Sequence, residues 1–136
     1  MSGELSGAQA AYVDAATVAR LATVTLERTP HVVPVCPVLD LDRILIASGY
    51  DRKVANIRDN DEVCIVFDRY SDDWDELSQV VVYGKAYLVE EGPEFDRDAA
   101  LLNEKFPQYP PSDYPIVQGS TVIIEIRPTR VLSSGV

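Results

Sequence analysis

Short apolar runs, each closed by a cluster of turn-forming residues, recur along this chain and restrict it to a sheet built largely from hairpins. Arg20 to Leu26 alternates as a strand, Glu27-Arg28-Thr29-Pro30 reads as a turn, and His31 to Leu39 returns as the second strand. Asp40-Leu41-Asp42 is a second turn, and Arg43 to Ser48 a third strand, apolar at Ile44, Leu45 and Ile46. Glu62 to Phe67 and Gln79 to Val89 supply the fourth and fifth, and Ser120 to Arg127, with its TVIIEI core, the sixth. Gly84 inside the fifth run predicts a bulge or a barrel corner.

Helices are few and short in this reading. Ser6 and Gln9 have capping-box spacing and open a helix to about Ala16, with Tyr12 on an apolar face. Asp51 is placed as the N-cap of a helix from Arg52 to about Arg58, with Val54 and Ile57 on one side. Pro93 suits the first turn of a helix running to Phe106, whose stripe is Phe95, Ala99, Leu102 and Phe106. The stretch PQYPPSDYPIVQG, with four of the nine prolines, is a surface loop or lid. Together these elements predict a mainly β fold: a six-stranded antiparallel split β-barrel with peripheral short helices, in a single domain over residues 1–136.

Charge narrows the function. A net charge of −10 argues against nucleic acid as a partner, because that partner must have several phosphates neutralised at once. No run approaches the roughly 20 apolar residues that span a bilayer, and the opening MSGELSGAQA has neither the basic nor the apolar part of a signal peptide. A cytoplasmic protein is therefore expected. Cys36 and Cys64 have no CxxC spacing, so no zinc or dithiol site is indicated, and both read as small buried thiols.

Other chemistries find little support. His31 is the only histidine, and spacing ties neither a serine nor a cysteine to it. The acidic segment DRYSDDWDELS has Asp73 and Gln79 where a calcium loop needs glycine and glutamate. Trp74, Tyr70, Tyr109 and Tyr114 fall in loops, where they line a pocket or a subunit interface.

The segment from Ala47 to Ile57 is the most informative. A strand ends at Gly49 and a helix begins with adjacent Arg52 and Lys53, at the end where the helix dipole favours negative charge. Two readings stand: a solvated basic pair beside Asp51 and Asp59, or a phosphate site made by helix amides, a guanidinium and an ammonium. The prolines at 30, 34 and 37 also allow two readings. Their strand is an edge protected from aggregation, or a strand whose free backbone groups at Val33, Val35 and Cys36 border a planar ring.

In order, ARLATV, PHVVPVCPVLD, ILIASGYDRKVANIRDN, VCIVFDRY, WDELSQVVVYGKA and VIIEIRPTRV resemble the split-barrel superfamily of pyridoxamine phosphate oxidase. They are most similar to its small branch of deazaflavin (coenzyme F-420) dependent oxidoreductases. The resemblance runs from about Val18 to Arg130. It implies a homodimer with cofactor sites at the subunit interface, coenzyme F-420 or FMN as cofactor, and hydride transfer to a small organic acceptor. It also implies that Arg52 and Lys53 hold the cofactor phosphate beside Ala47 and Ser48. Val33, Pro34, Val35 and Cys36 would then border the ring, and Gln79 would make a further cofactor contact. Trp74 and Tyr70 would line the substrate pocket, and no side chain is required as a catalyst. A flavin, deazaflavin or tetrapyrrole binding module without turnover is the alternative. Val33 and Val38 stand where the oxidases carry arginine and lysine, and RPTRVLSSGV lacks their C-terminal tryptophan and arginine motif. Both departures point away from pyridoxamine phosphate as substrate.

Overall fold

The computed structural model describes residues 3–136. Seven antiparallel strands form one sheet: β1 (Ala19–Val24), β2 (Pro30–Val35), β3 (Val38–Asp40), β4 (Arg43–Ser48), β5 (Glu62–Arg69), β6 (Ser78–Val89) and β7 (Val122–Ser134). Helices α1 (Gly7–Ala15), α2 (Arg52–Asp59) and α3 (Gly92–Lys105) lie around it. The sheet order is β2-β1-β5-β6-β7-β4-β3, so its two edge strands are neighbours in sequence, joined only by Cys36 and Pro37. A link that short reaches only about 10 Å. The sheet must therefore curl until its edges meet, which makes it a barrel.

The same corner explains the strand count. The run predicted as one strand from His31 to Leu39 is bent at Cys36-Pro37, and its halves pair with different partners: β2 with β1, and β3 with β4. Proline has no amide to donate, so the ladder breaks there. Seven ladder segments thus fill six positions around the barrel. Cys36 is exposed at this break and Cys64 half-buried, which corrects the expectation of two buried thiols.

Two apolar layers follow from strand alternation. Leu21, Ile44, Ile46, Ile65, Phe67, Val80, Val82, Ile124 and Ile126 point into the barrel, where Tyr12 and Val13 of α1 and Val54 and Ile57 of α2 close it. Leu45 and Ile123, on the opposite face, pack against Phe95, Ala99, Leu102 and Phe106 of α3. That covering helix is why VIIEI reads as a continuous run rather than an alternating one. The capping box forms as expected, and Tyr12 places its hydroxyl 2.8 Å from Ser78 Oγ.

Gly84 marks a register shift, with Tyr83 opposite Arg130 and Gly84 opposite Pro128. A β-carbon at this position would lie 2.6 Å from the Arg127 carbonyl oxygen and 2.9 Å from Ile126 Cγ2. Because the nearest obstacle is backbone, Gly84→Val is expected to cost about 1–3 kcal/mol of stability by overpacking, measured by urea denaturation.

One charged group interrupts the outer layer. Glu125 shares the face of Leu45 and Ile123 and is 1% exposed. Arg43 donates to Glu125 Oε1 at 2.8 Å, reaches Asp98 of α3 at 3.4 Å and pairs with Asp40; Arg127 donates to Glu125 Oε2 at 2.5 Å. Burial alone would push the Glu125 pKa up, but the bonds from Arg127 and Arg43 outweigh it and hold the carboxyl below its usual range. Among the described residues no helix is long and apolar enough to cross a membrane.

Candidate functional site

α2 is fixed to the barrel by Val54 and Ile57 and by buried Asn56, whose amide donates to Thr23 Oγ1 at 3.0 Å. Its first turn is thereby held at the end of β4, beside Ala47, Ser48 and Gly49. Asp51 occupies the N-cap with extended dihedrals, as predicted, but its side chain makes no full capping bond, and the Val54 amide only helps to hold its charge. The carboxylate turns instead to Lys53, at 2.7 Å, and lies 3.4 Å from Ser48 Oγ. Burial works against its charge, but Lys53 prevails and holds the Asp51 carboxyl below its ordinary pKa.

The basic pair is therefore unequal. Lys53 is neutralised by its own neighbour and mostly buried, with 13% of its side chain exposed. Arg52 is exposed, and it and Arg28 are the two cations among the described residues whose side chains make no ion pair, hydrogen bond or ring contact. Arg52 lies where the first helix amides have no intrahelical acceptor. An anion placed there meets a free guanidinium and the positive end of the helix dipole. The space above Gly49 is open, since a β-carbon there would meet nothing within 4 Å.

A cleft of about 210 Å³ adjoins this corner. Ala47, Ser48 and Gly49 line one side, and the proline-rich loop, through Tyr109, Asp113, Tyr114 and Pro115, lines the other. A second, mostly apolar cleft of about 240 Å³ lies on the far side of Tyr109 and Tyr114 and is bordered by Cys36 and Phe106. The loop thus links Cys36 to the end of β4. Burial pushes the Tyr109 hydroxyl pKa up, so this phenol is neutral over the physiological range, and Asp113 is the acidic group of the wall.

Of the residues singled out from sequence, Ala47, Ser48, Arg52 and Lys53 form one corner, with Cys36 across the loop. Val33, Pro34 and Val35 lead to Cys36 along β2, whose backbone is paired only with β1 and so is open on one side. Gln79 stands elsewhere. It is the second residue of β6, opposite Asp68 and Ser134, whereas Ser48 pairs with Val122 beside the other end of β6. Tyr70 and Trp74 lie in the turn from β5 into β6, just before Gln79; each is 74% exposed, and neither lines the two clefts.

Sequence reasoning did not assign Asp113, Pro115, Ser120 or Thr121 to the cleft. The only available signal was the proline density of the loop, which gives no indication of where the loop lands. Glu125 was missed as a buried charge, although a carboxylate inside VIIEI was a visible sign.

The sequence profile of the pyridoxamine 5'-phosphate oxidase family matches residues 5–135. Among solved structures the chain is similar to a conserved hypothetical protein of Mycobacterium tuberculosis, with TM-score 0.77 and 21% identity, covering 97% of this chain and 86% of that one. It is also similar to the heme storage protein HutZ of Vibrio cholerae, at TM-score 0.77 and 15% identity over 90% and 89% of the two chains. An FAD-binding protein of Mesorhizobium loti has TM-score 0.72 and 20% identity over 95% and 92%. No curated protein matches the sequence. The structural likenesses carry the fold, and the profile match spans nearly the whole chain: this protein belongs to the pyridoxamine 5'-phosphate oxidase family.

Proposed function

We propose that this protein is an oxidoreductase that moves a hydride between a reduced deazaflavin (coenzyme F-420) or FMN and a small organic acceptor. The observation that carries the reading is Arg52, an unpaired guanidinium at the open start of α2, beside an empty corner at Gly49, in a chain of net charge −10. Those donors fit a phosphate. Family membership and the FAD-binding relative support a flavin-type ring.

In this reading the bound cofactor supplies the hydride chemistry, and the chain supplies orientation and a dry surface. Arg52 and the first amides of α2 hold the phosphate, with Lys53 as a weaker contributor. Ala47 and Ser48 form the wall beside it, the backbone of Val33, Pro34, Val35 and Cys36 borders the ring, and Tyr109 and Tyr114 exclude water. Gln79, Tyr70 and Trp74 come to the site from a second copy of the chain. The exposure of Tyr70, Trp74 and Leu77 at that end of the barrel supports a homodimer.

Titration of the protein with oxidised and reduced FMN and coenzyme F-420 tests the reading, and absence of binding by all of them would sink it. Assays of the loaded protein with enones, quinones and tetrapyrroles then separate enzyme from binding module. A tight complex that reduces none of these acceptors supports the module.

Asp51 also gives a prediction. Asp51→Asn releases Lys53 and removes a carboxylate next to the phosphate, so FMN affinity is expected to rise roughly 2- to 5-fold at low salt. Calorimetry at fixed ionic strength checks it, and unchanged or weaker binding would place the phosphate elsewhere.

A further inference from the structure

On the outer face of the barrel, away from α2, α3 and the sheet enclose a cleft of about 490 Å³ bordered by Asp40, Arg43, Glu94, Arg97, Glu125 and Arg127. Asp98 lies beneath it, against Arg43. With Asp98 included, four carboxylates face three guanidiniums. One negative charge is left over.

The surplus can be located. Asp98 is 0% exposed, and its Oδ1 lies 3.4 Å from Arg43 and 3.8 Å from Arg97, while its Oδ2 is buried with no hydrogen-bond donor. Glu94, one helical turn earlier on α3, is exposed and held by no ion pair or hydrogen bond. Even so, carboxylate oxygens of Glu94, Asp98 and Glu125 lie within 4.8 Å of one another. Like charges so close repel, and a buried oxygen without a donor is costly. A cation resolves both.

We propose that Glu94, Asp98 and Glu125 bind a hard divalent cation, with water filling the remaining positions. The donor set is all oxygen, with no histidine or cysteine, which suits ions of the calcium or magnesium type and not zinc or copper. Each oxygen of Glu125 accepts one arginine bond and has a second lone pair for the ion. The ion would tie α3 to β7, give Asp98 Oδ2 the partner it lacks and screen the three crowded carboxylates from one another. With three protein ligands, two of them already beside arginines, the site is a weak one.

Calorimetric titration of the full chain with Ca²⁺, and electron paramagnetic resonance with Mn²⁺, test the site directly. One saturable site is expected in the millimolar range or tighter, with a rise in melting temperature on adding Ca²⁺. Glu94→Gln changes a partner-free surface residue, so it leaves the fold intact while weakening the site about tenfold, the scale of one lost charged ligand. Asp98→Asn abolishes it. No saturable uptake by the native chain overturns the proposal, as does equal affinity in native chain and Glu94→Gln. The Mn²⁺ measurement on Glu94→Gln decides the matter even if Asp98→Asn does not fold. FMN binding at Arg52 is unaffected in every case.

Discussion

Replacing Arg43 with methionine is expected to cost the fold about 3–5 kcal/mol, a large share of the roughly 5–15 kcal/mol that holds a domain of this size together. The arginine touches three carboxylates at once, Asp40, Asp98 and Glu125, two of them fully enclosed. Desolvation by itself would lower its pKa, but the hydrogen bonds it donates to Asp40 and Glu125 and the charge of Asp98 raise it instead, so it is a permanent cation. Methionine keeps the apolar stem and removes the counter-charge. Asp98 then has only distant Arg97, and Glu125 only Arg127.

The pH dependence has a definite sign. The Glu125 carboxyl is depressed in the folded state, so its contribution is present above the unfolded value of about 4.3 and is lost as pH falls through the lower folded one. The native protein should therefore lose stability on acidification below about pH 4, while the gap between native and Arg43→Met narrows. Urea unfolding at several pH values measures both. A gap that stays constant or widens towards acid would show that the cost of the substitution is lost packing rather than stranded charge.

Arg52→Ala carries the second large effect: FMN or coenzyme F-420 should bind roughly 10- to 150-fold more weakly, equivalent to about 1.5–3 kcal/mol for a charge-assisted phosphate contact. Lys53→Ala should cost less, because Asp51 already occupies that ammonium at 2.7 Å. The ordering is the informative part. Equal losses at the two positions would mean that Lys53 leaves Asp51 when the phosphate binds, and no loss at Arg52 would remove the phosphate site from this corner. Arg52 is exposed and partner-free, so the variant should unfold at the native urea midpoint, which separates a binding defect from a folding one.

Several elements were legible because their signals are local. Ser6 and Gln9 make their reciprocal cap, Phe95, Ala99, Leu102 and Phe106 all face the sheet, and Gly84 sits at the bulge. Each rests on periodicity or backbone chemistry that a few neighbouring residues specify. The corner at Pro37 was half-read. The prolines marked an edge strand or one with free backbone groups, but that the strand would bend and change partners at Pro37 depended on where β1 and β4 lie.

The basic pair shows the division most clearly. By itself the sequence determined that two cations begin a helix after a strand ending in glycine, in an otherwise acidic chain; that is chemistry of adjacent residues, fixed by covalent order. Only the tertiary structure decided that Arg52 is free, that the proline-rich loop lands opposite Ala47 and Ser48, and that Glu125 meets Asp98 and Arg43 beneath α3. These are distances between side chains on different turns and strands. Barrel closure and helix packing set them, and no spacing along the chain encodes them.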